Sequence, residues 1–148
     1  MKKNLLPILL IFFLSSCGFT PIYLENTNVD FSIEQVDYTG DRELNNFLKT
    51  NLNKYKNDKN NNKIYLEANS VYEKTVLSKS KTGEVSNYQL KAEVVFIIKP
   101  SNKKIKITEK KIIDSISDKF DEARYESSIK QNFASSITNK LTSELVIY

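Results

Sequence analysis

Between Tyr88 and Ile98 the chain alternates without a slip. Tyr88, Leu90, Ala92, Val94, Phe96 and Ile98 fall on one side, and Gln89, Lys91 and Glu93 on the other. A period of two is the spacing of side chains on a strand, whose successive residues point to opposite faces. The pattern predicts a strand from Glu84 to Lys99 that needs a covering layer on one side only. The preceding stretch, Lys63 to Lys79, opens in the same way, with Ile64, Leu66 and Ala68 opposed to Tyr65, Glu67 and Asn69. Ser80-Lys81-Thr82-Gly83 joins the two as a hairpin turn, with Gly where a positive φ is wanted. Pro100-Ser101-Asn102 makes the next turn, and Lys103 to Ser117 reads as a further strand. Its phase breaks, because Ile105 and Ile107 share a face while Ile112 and Ile116 do not. That predicts an irregularity around Glu109 to Lys111. Upstream, Val29, Phe31 and Ile33 alternate and Val36 and Tyr38 follow in the opposite phase, which predicts a bulge near Glu34-Gln35.

Two stretches carry helical spacing instead. Leu44, Phe47, Leu48, Leu52 and Tyr55 form one apolar stripe from about Arg42 to Tyr55, and Asp41 is placed to cap its first free amides. A polar run, Lys56 to Asn62, follows as a loop. Near the end of the chain Ile129, Phe133, Ile137, Leu141 and Leu145 recur every fourth residue, with Ala134 beside them. Lys130, Asn132, Ser135, Asn139 and Thr142 take the other side, Asp118 or Asp121 caps the start, and Glu122 suits the positive end of the helix dipole. The order is β-α-β-β-β-α. One-sided strands with two amphipathic helices predict an α+β two-layer sandwich: a four-stranded, mainly antiparallel sheet with both helices packed on one face. Residues 29–148 form this single domain.

Function classes are narrowed by what the chain lacks. It has no His, one Cys and three Gly in 148 residues. The commonest general base and metal ligand is therefore missing, and a Gly-rich phosphate loop cannot be built. Glu67 and Glu93 fall on solvent-facing strand positions, and Asp118, Asp121 and Glu122 serve a helix start. The expectation is a non-enzyme with no catalytic residue, no metal and no cofactor. A net charge of +4, two units of which come from Lys2 and Lys3, gives no case for nucleic acid.

The single Cys has a specific setting. Lys2 and Lys3 are followed by an apolar run from Leu5 to Leu14, too short to span a bilayer, and then by Leu14-Ser15-Ser16-Cys17. This order resembles the lipobox of bacterial lipoproteins. The resemblance implies a leader, residues 1–16, cleaved before a Cys17 that carries N-acyl and S-diacylglycerol lipid, and a tether over residues 17–28. A lone thiol in an exported chain has no disulfide partner, and lipidation gives it a role.

Beyond the cysteine, Cys17-Gly18-Phe19-Thr20-Pro21-Ile22-Tyr23 resembles the CGFxPLY start of the LPS-assembly lipoprotein family, LptE, with Ile22 where Leu is usual. Tyr88-Gln89-Leu90, the first helix with Leu44, Leu48 and Leu52, and the final helix match that family in pattern. The resemblance implies a protein at the periplasmic face of the outer membrane. Its partners would be an LptD-type outer-membrane β-barrel, whose lumen it plugs, and lipopolysaccharide. Lipid A phosphates need cations, and Lys79 and Lys81 at the hairpin tip are the first candidates to supply them. Lys103, Lys104, Lys106, Lys110 and Lys111 are weaker ones. Phe19, Pro21, Ile22 and Tyr23 are candidates for contact with the barrel wall or the lipid interface. Two alternatives share the anchor: a lipoprotein scaffold of another outer-membrane assembly, and a periplasmic lipid-binding carrier with an internal cavity.

Overall fold

The computed structural model describes residues 29–146. The leader, the tether, and with them Cys17, Phe19, Pro21, Ile22 and Tyr23, lie outside the described residues. The elements run β1 (Ser32–Gly40), α1 (Arg42–Leu52), a 3-10 turn (Asn53–Tyr55), β2 (Lys63–Lys79), β3 (Val85–Lys99), β4 (Lys103–Asp114) and α2 (Lys119–Val146). The sheet order is β1-β2-β3-β4. β1 lies parallel to β2, and β2, β3 and β4 form an antiparallel meander. This is the expected α+β architecture with its mainly antiparallel sheet.

The register of β1 shifts between Ile33 and Gln35, the site where the change of phase predicts a bulge. The extra residue returns Val36 and Tyr38 to the face of Ile33, opposite Leu66 and Ala68. β1 ends at Gly40, whose φ of +96° suits a residue without Cβ. Asp41 follows as the N-cap of α1, its Oδ1 accepting from the Leu44 amide at 2.8 Å. Leu44, Leu48 and Leu52 are buried, and the α-helix ends at Leu52 rather than at Tyr55. Tyr55 sits in the 3-10 turn and stacks on Phe31, ring centroids 6.4 Å apart. The loop after it is pinned to the start of β1: the buried Ser32 hydroxyl accepts from the Asn57 amide at 2.7 Å, and Asn62 Nδ2 donates to the Asp30 carbonyl.

The expected irregularity in β4 is absent. Its ladder with β3 runs unbroken from Asn87↔Asp114 to Ile98↔Lys103, and the strand stops at Asp114 rather than Ser117. Ile105, Ile107 and Ile113 are buried on the helix-facing side, while Ile112 points outward and is 63% exposed. Glu109 and Lys111, between them, share the inner face and reach up to α2. The Glu109 carboxylate accepts from the Ser136 hydroxyl at 2.7 Å and pairs with Lys140 at 2.6 Å. Lys111 places its ammonium over the Tyr125 ring. Polar residues at inward positions thus imitate a change of phase.

α2 is preceded by Asp118, whose Oδ1 accepts from the amides of Phe120 and Asp121. Ile129, Phe133, Ala134, Ile137, Leu141 and Leu145 are buried as the spacing predicts. Thr142, assigned to the polar side, is buried as well, and its hydroxyl donates to the Asn139 carbonyl at 3.0 Å. Glu43 meets Ser127 and Asn51 meets Ser135, so the two helices run side by side in the same direction. Between them and the sheet the core is closed around Leu90, Val94, Phe96, Ile137 and Leu141, none with measurable exposure. Each such side chain contributes about 1.5–3 kcal/mol by leaving water. In β2 the alternation of burial holds through Ser70 and then ceases, so the β2–β3 hairpin projects past the covered part of the sheet.

Candidate functional site

The projecting hairpin carries the two cations singled out from the sequence. Lys79 is the last residue of β2 and Lys81 stands in the turn; both are exposed, and neither makes an ion pair with a described residue. The turn closes through the Ser80 amide to the Glu84 carbonyl at 2.7 Å and the Gly83 amide to the Ser80 carbonyl at 3.0 Å, with Gly83 at φ +88°. The Ser80 and Gly83 amides are therefore used within the turn itself. Anion recognition here falls to the ammonium groups and the remaining backbone. Two register shifts, at Val76/Ser78 and Ser78/Lys79, twist the strand just below the tip. Beneath them a side-chain chain from Ser78 to Asn87 to Asp114, each link 2.6 Å, ties three strands together. Val76 and Leu77, both nearly half exposed, adjoin the two lysines. Cations beside exposed aliphatic side chains are suited to an amphiphilic anion.

The weaker candidates do not join this site. Lys103 and Lys104 follow the Pro100 turn at the opposite end of the sheet, as the pairing of Lys103 with Ile98 and of Asn87 with Asp114 requires. Lys106 is paired with Glu93 at 2.7 Å on the uncovered face of the sheet. Much of that face is neutralised internally, since Lys91 bridges Glu73 and Glu93 and Lys99 pairs with Glu67.

A second cluster, invisible to local sequence patterns, lies where the helices begin over β2. The Lys130 ammonium pairs with Glu43 at 2.8 Å and lies 4.2 Å from the Tyr72 ring centroid. Ser127 donates to the other Glu43 oxygen at 2.6 Å. Lys74 bonds Glu122 and also Glu126, the latter at 2.8 Å, with its ammonium 4.5 Å from the Tyr88 ring centroid. Glu122 lies in the first turn of α2, as expected for the helix dipole, and is also 5% exposed and holds Lys119 as a second partner. The hydrogen bond from Lys130, then that from Ser127, lowers the Glu43 carboxyl below its usual range. Lys74 does the same for Glu122. Burial pushes the Lys74 ammonium down, but its bonds to Glu122 and Glu126 prevail and raise it. Burial raises Tyr72 and takes Tyr38 up to about 12.

This ionic clasp joins α1, α2 and β2 where the apolar core gives out. Because Glu43 and Glu122 have lowered folded pKa values, their contribution is full above the unfolded value of about 4.3 and is lost as pH falls through the lower folded ones. The melting temperature should therefore drop as pH is taken from about 5 to about 3. A Glu43→Gln, Glu122→Gln variant should show a flatter dependence over that interval. An equal drop in wild type and variant would assign the acid sensitivity to other groups.

No protein-family model matches the sequence, and no curated protein does. Solved structures do match the fold. The crystal structure of the rare lipoprotein B from Shewanella oneidensis superimposes with a TM-score of 0.55 at 17% identity, over 75% of this chain and 92% of that one. The solution structure of an uncharacterized lipoprotein B from Nitrosomonas europaea gives 0.56 at 15% identity, over 82% and 88%. The α+β fold built by β1 to α2 is thus one that two bacterial lipoproteins share.

Proposed function

We propose that this chain is an outer-membrane lipoprotein, held at the periplasmic face by acyl chains on Cys17, which fills the lumen of an LptD-type β-barrel and assists lipopolysaccharide assembly. One coincidence carries the reading. A lipobox-like leader runs into Cys17-Gly18-Phe19-Thr20-Pro21-Ile22-Tyr23, and the domain that follows has a fold found in bacterial lipoproteins. The domain's role is scaffolding and binding rather than catalysis. Two acyl chains suffice for stable anchoring where one is marginal.

Dimensions and surface agree with a plug. From Lys63 to Lys79, β2 extends about 50 Å at about 3.3 Å per residue, more than the roughly 30 Å of a hydrocarbon core. The uncovered sheet face is a lattice of paired charges, suited to a polar lumen. The filled core between sheet and helices favours a plug over a lipid-carrying cavity. Lys79 and Lys81 supply cations for lipid A phosphates at the tip, far from the end at which the chain enters β1.

Purification of the native, lipidated protein tests the reading. A co-purifying LptD-type barrel is expected, and a different stable partner would end the proposal. Cys17→Ala should leave the precursor uncleaved and unacylated; mass spectrometry finding a normal mature start would remove the anchor from the scheme. Lys79→Glu with Lys81→Glu should weaken binding to lipopolysaccharide about tenfold without altering the melting temperature, in line with loss of two charge-assisted contacts. Unchanged affinity at matched salt would exclude the tip as the binding site.

A further inference from the structure

Among the described residues β4 has a strand neighbour on one side only. Its open edge is 12 residues long, free of proline, and without a bulge in its ladder to β3. The opposite edge, β1, is shorter and interrupted by its bulge. Along the β4 edge runs a groove of about 520 Å³, lined in part by Lys106, Lys140 and Glu144 and walled by Ile105, Ile107 and Thr108 below and by Ser136, Asn139 and Ser143 of α2 above. Those three helical positions lie three and four residues apart and so share one flank of α2. All three side chains are short and polar. They leave room beneath the helix at the place where a fifth strand, about 4.8 Å from β4, would run.

The edge also has a charge that selects its occupant. β4 contains five lysines against Glu109 and Asp114; Lys106 is held by Glu93, and the Glu109 carboxylate by Ser136 and Lys140. Lys104 and Lys110 make no ion pair with a described residue. Pairing with the β4 of a second copy would bring two lysine-rich edges together, which like-charge repulsion opposes. An acidic strand meets no such penalty. We propose that the β4 edge and the groove beneath α2 are a docking site for an extended acidic segment of a partner protein, added to the sheet as a fifth strand. Main-chain hydrogen bonds to the unpaired edge supply affinity, the lysines supply charge selection, and alternate side chains enter the groove. Under the function proposed above this segment belongs to the barrel, but the edge geometry does not depend on that assignment.

The test uses the full-length lipidated protein in its membrane, with the photo-crosslinking residue benzoylphenylalanine at Thr108 or, on the other edge, at Gln35. Light should yield an adduct from Thr108, not from Gln35, whose mapped partner peptide is acidic. Lys104→Glu with Lys110→Glu should cut its yield roughly tenfold while the melting temperature holds. An adduct with lipid or with a second copy would overturn the proposal. So would equal capture from Gln35, indifference to charge reversal, or no adduct from Thr108. A co-purifying barrel without the Thr108 adduct removes the edge site and leaves the plug reading standing. An acidic Thr108 partner that is not a barrel does the reverse.

Discussion

Gly40→Ala should destabilise the domain by about 3 kcal/mol or more, enough to lower the melting temperature by over about 10 °C or to leave the protein insoluble. Two causes add. At φ +96° any Cβ is strained, and one built on Gly40 would sit 1.8 Å from the Ser70 carbonyl oxygen. That carbonyl cannot move aside, because it accepts from the Asp41 amide at 3.1 Å and so fixes the corner between β1 and α1. Ser70 itself is buried, its hydroxyl within hydrogen-bonding distance of the Thr39 carbonyl. Gly83 is the internal control. Its φ of +88° is similar, but nothing lies within 4 Å of its would-be Cβ, so Gly83→Ala should cost only the conformational strain, about 1–2 kcal/mol. Urea denaturation of both variants decides the matter. Equal losses would mean that the contact with Ser70 is relieved cheaply.

Phe96→Ala should cost about 3–5 kcal/mol. Phe96 is fully buried on the inner strand β3, opposite Ala68 on β2 and Ile105 on β4. Its neighbours belong to a rigid ladder, so the space left by the ring cannot be closed by a backbone shift. Phe96→Leu, which keeps most of the volume, should lose much less. The urea midpoint should order wild type, Leu, Ala. A loss below about 1 kcal/mol for the alanine variant would contradict the packing described here.

The two variants also mark how far sequence carried the fold. Phe96 belongs to a strict alternation, and a strand buried on one face leaves no other register; β3 and the helical stripe from Ile129 to Leu145 were therefore legible. The bulge between Ile33 and Gln35 was legible for the same reason, as a slip in an otherwise regular period. β4 was read wrongly around Glu109 and Lys111 because alternation treats an inward polar residue as an outward one. Their partners, Ser136, Lys140 and Tyr125, lie on α2 and are distant in sequence. The clasp of Lys74, Glu122, Glu126, Glu43 and Lys130 escaped for that reason too, since its pairs are separated by 48 to 87 residues. At the candidate site, sequence placed Lys79 and Lys81 at a hairpin tip by turn chemistry alone. It could not foresee that Ser80 and Gly83 spend their amides inside the turn.

The parallel pairing of β1 with β2 has a mechanical consequence. The chain arrives from its N-terminal side at the foot of β1, beside the foot of β2, where Ser32 is matched with Lys63. A pull on that incoming segment, directed along the strands and away from the hairpin, drags β1 lengthwise past β2. The hydrogen bonds between them are then stressed together rather than broken one after another. A body moored by that end resists tugging in shear, and yields far sooner if the same force is turned sideways.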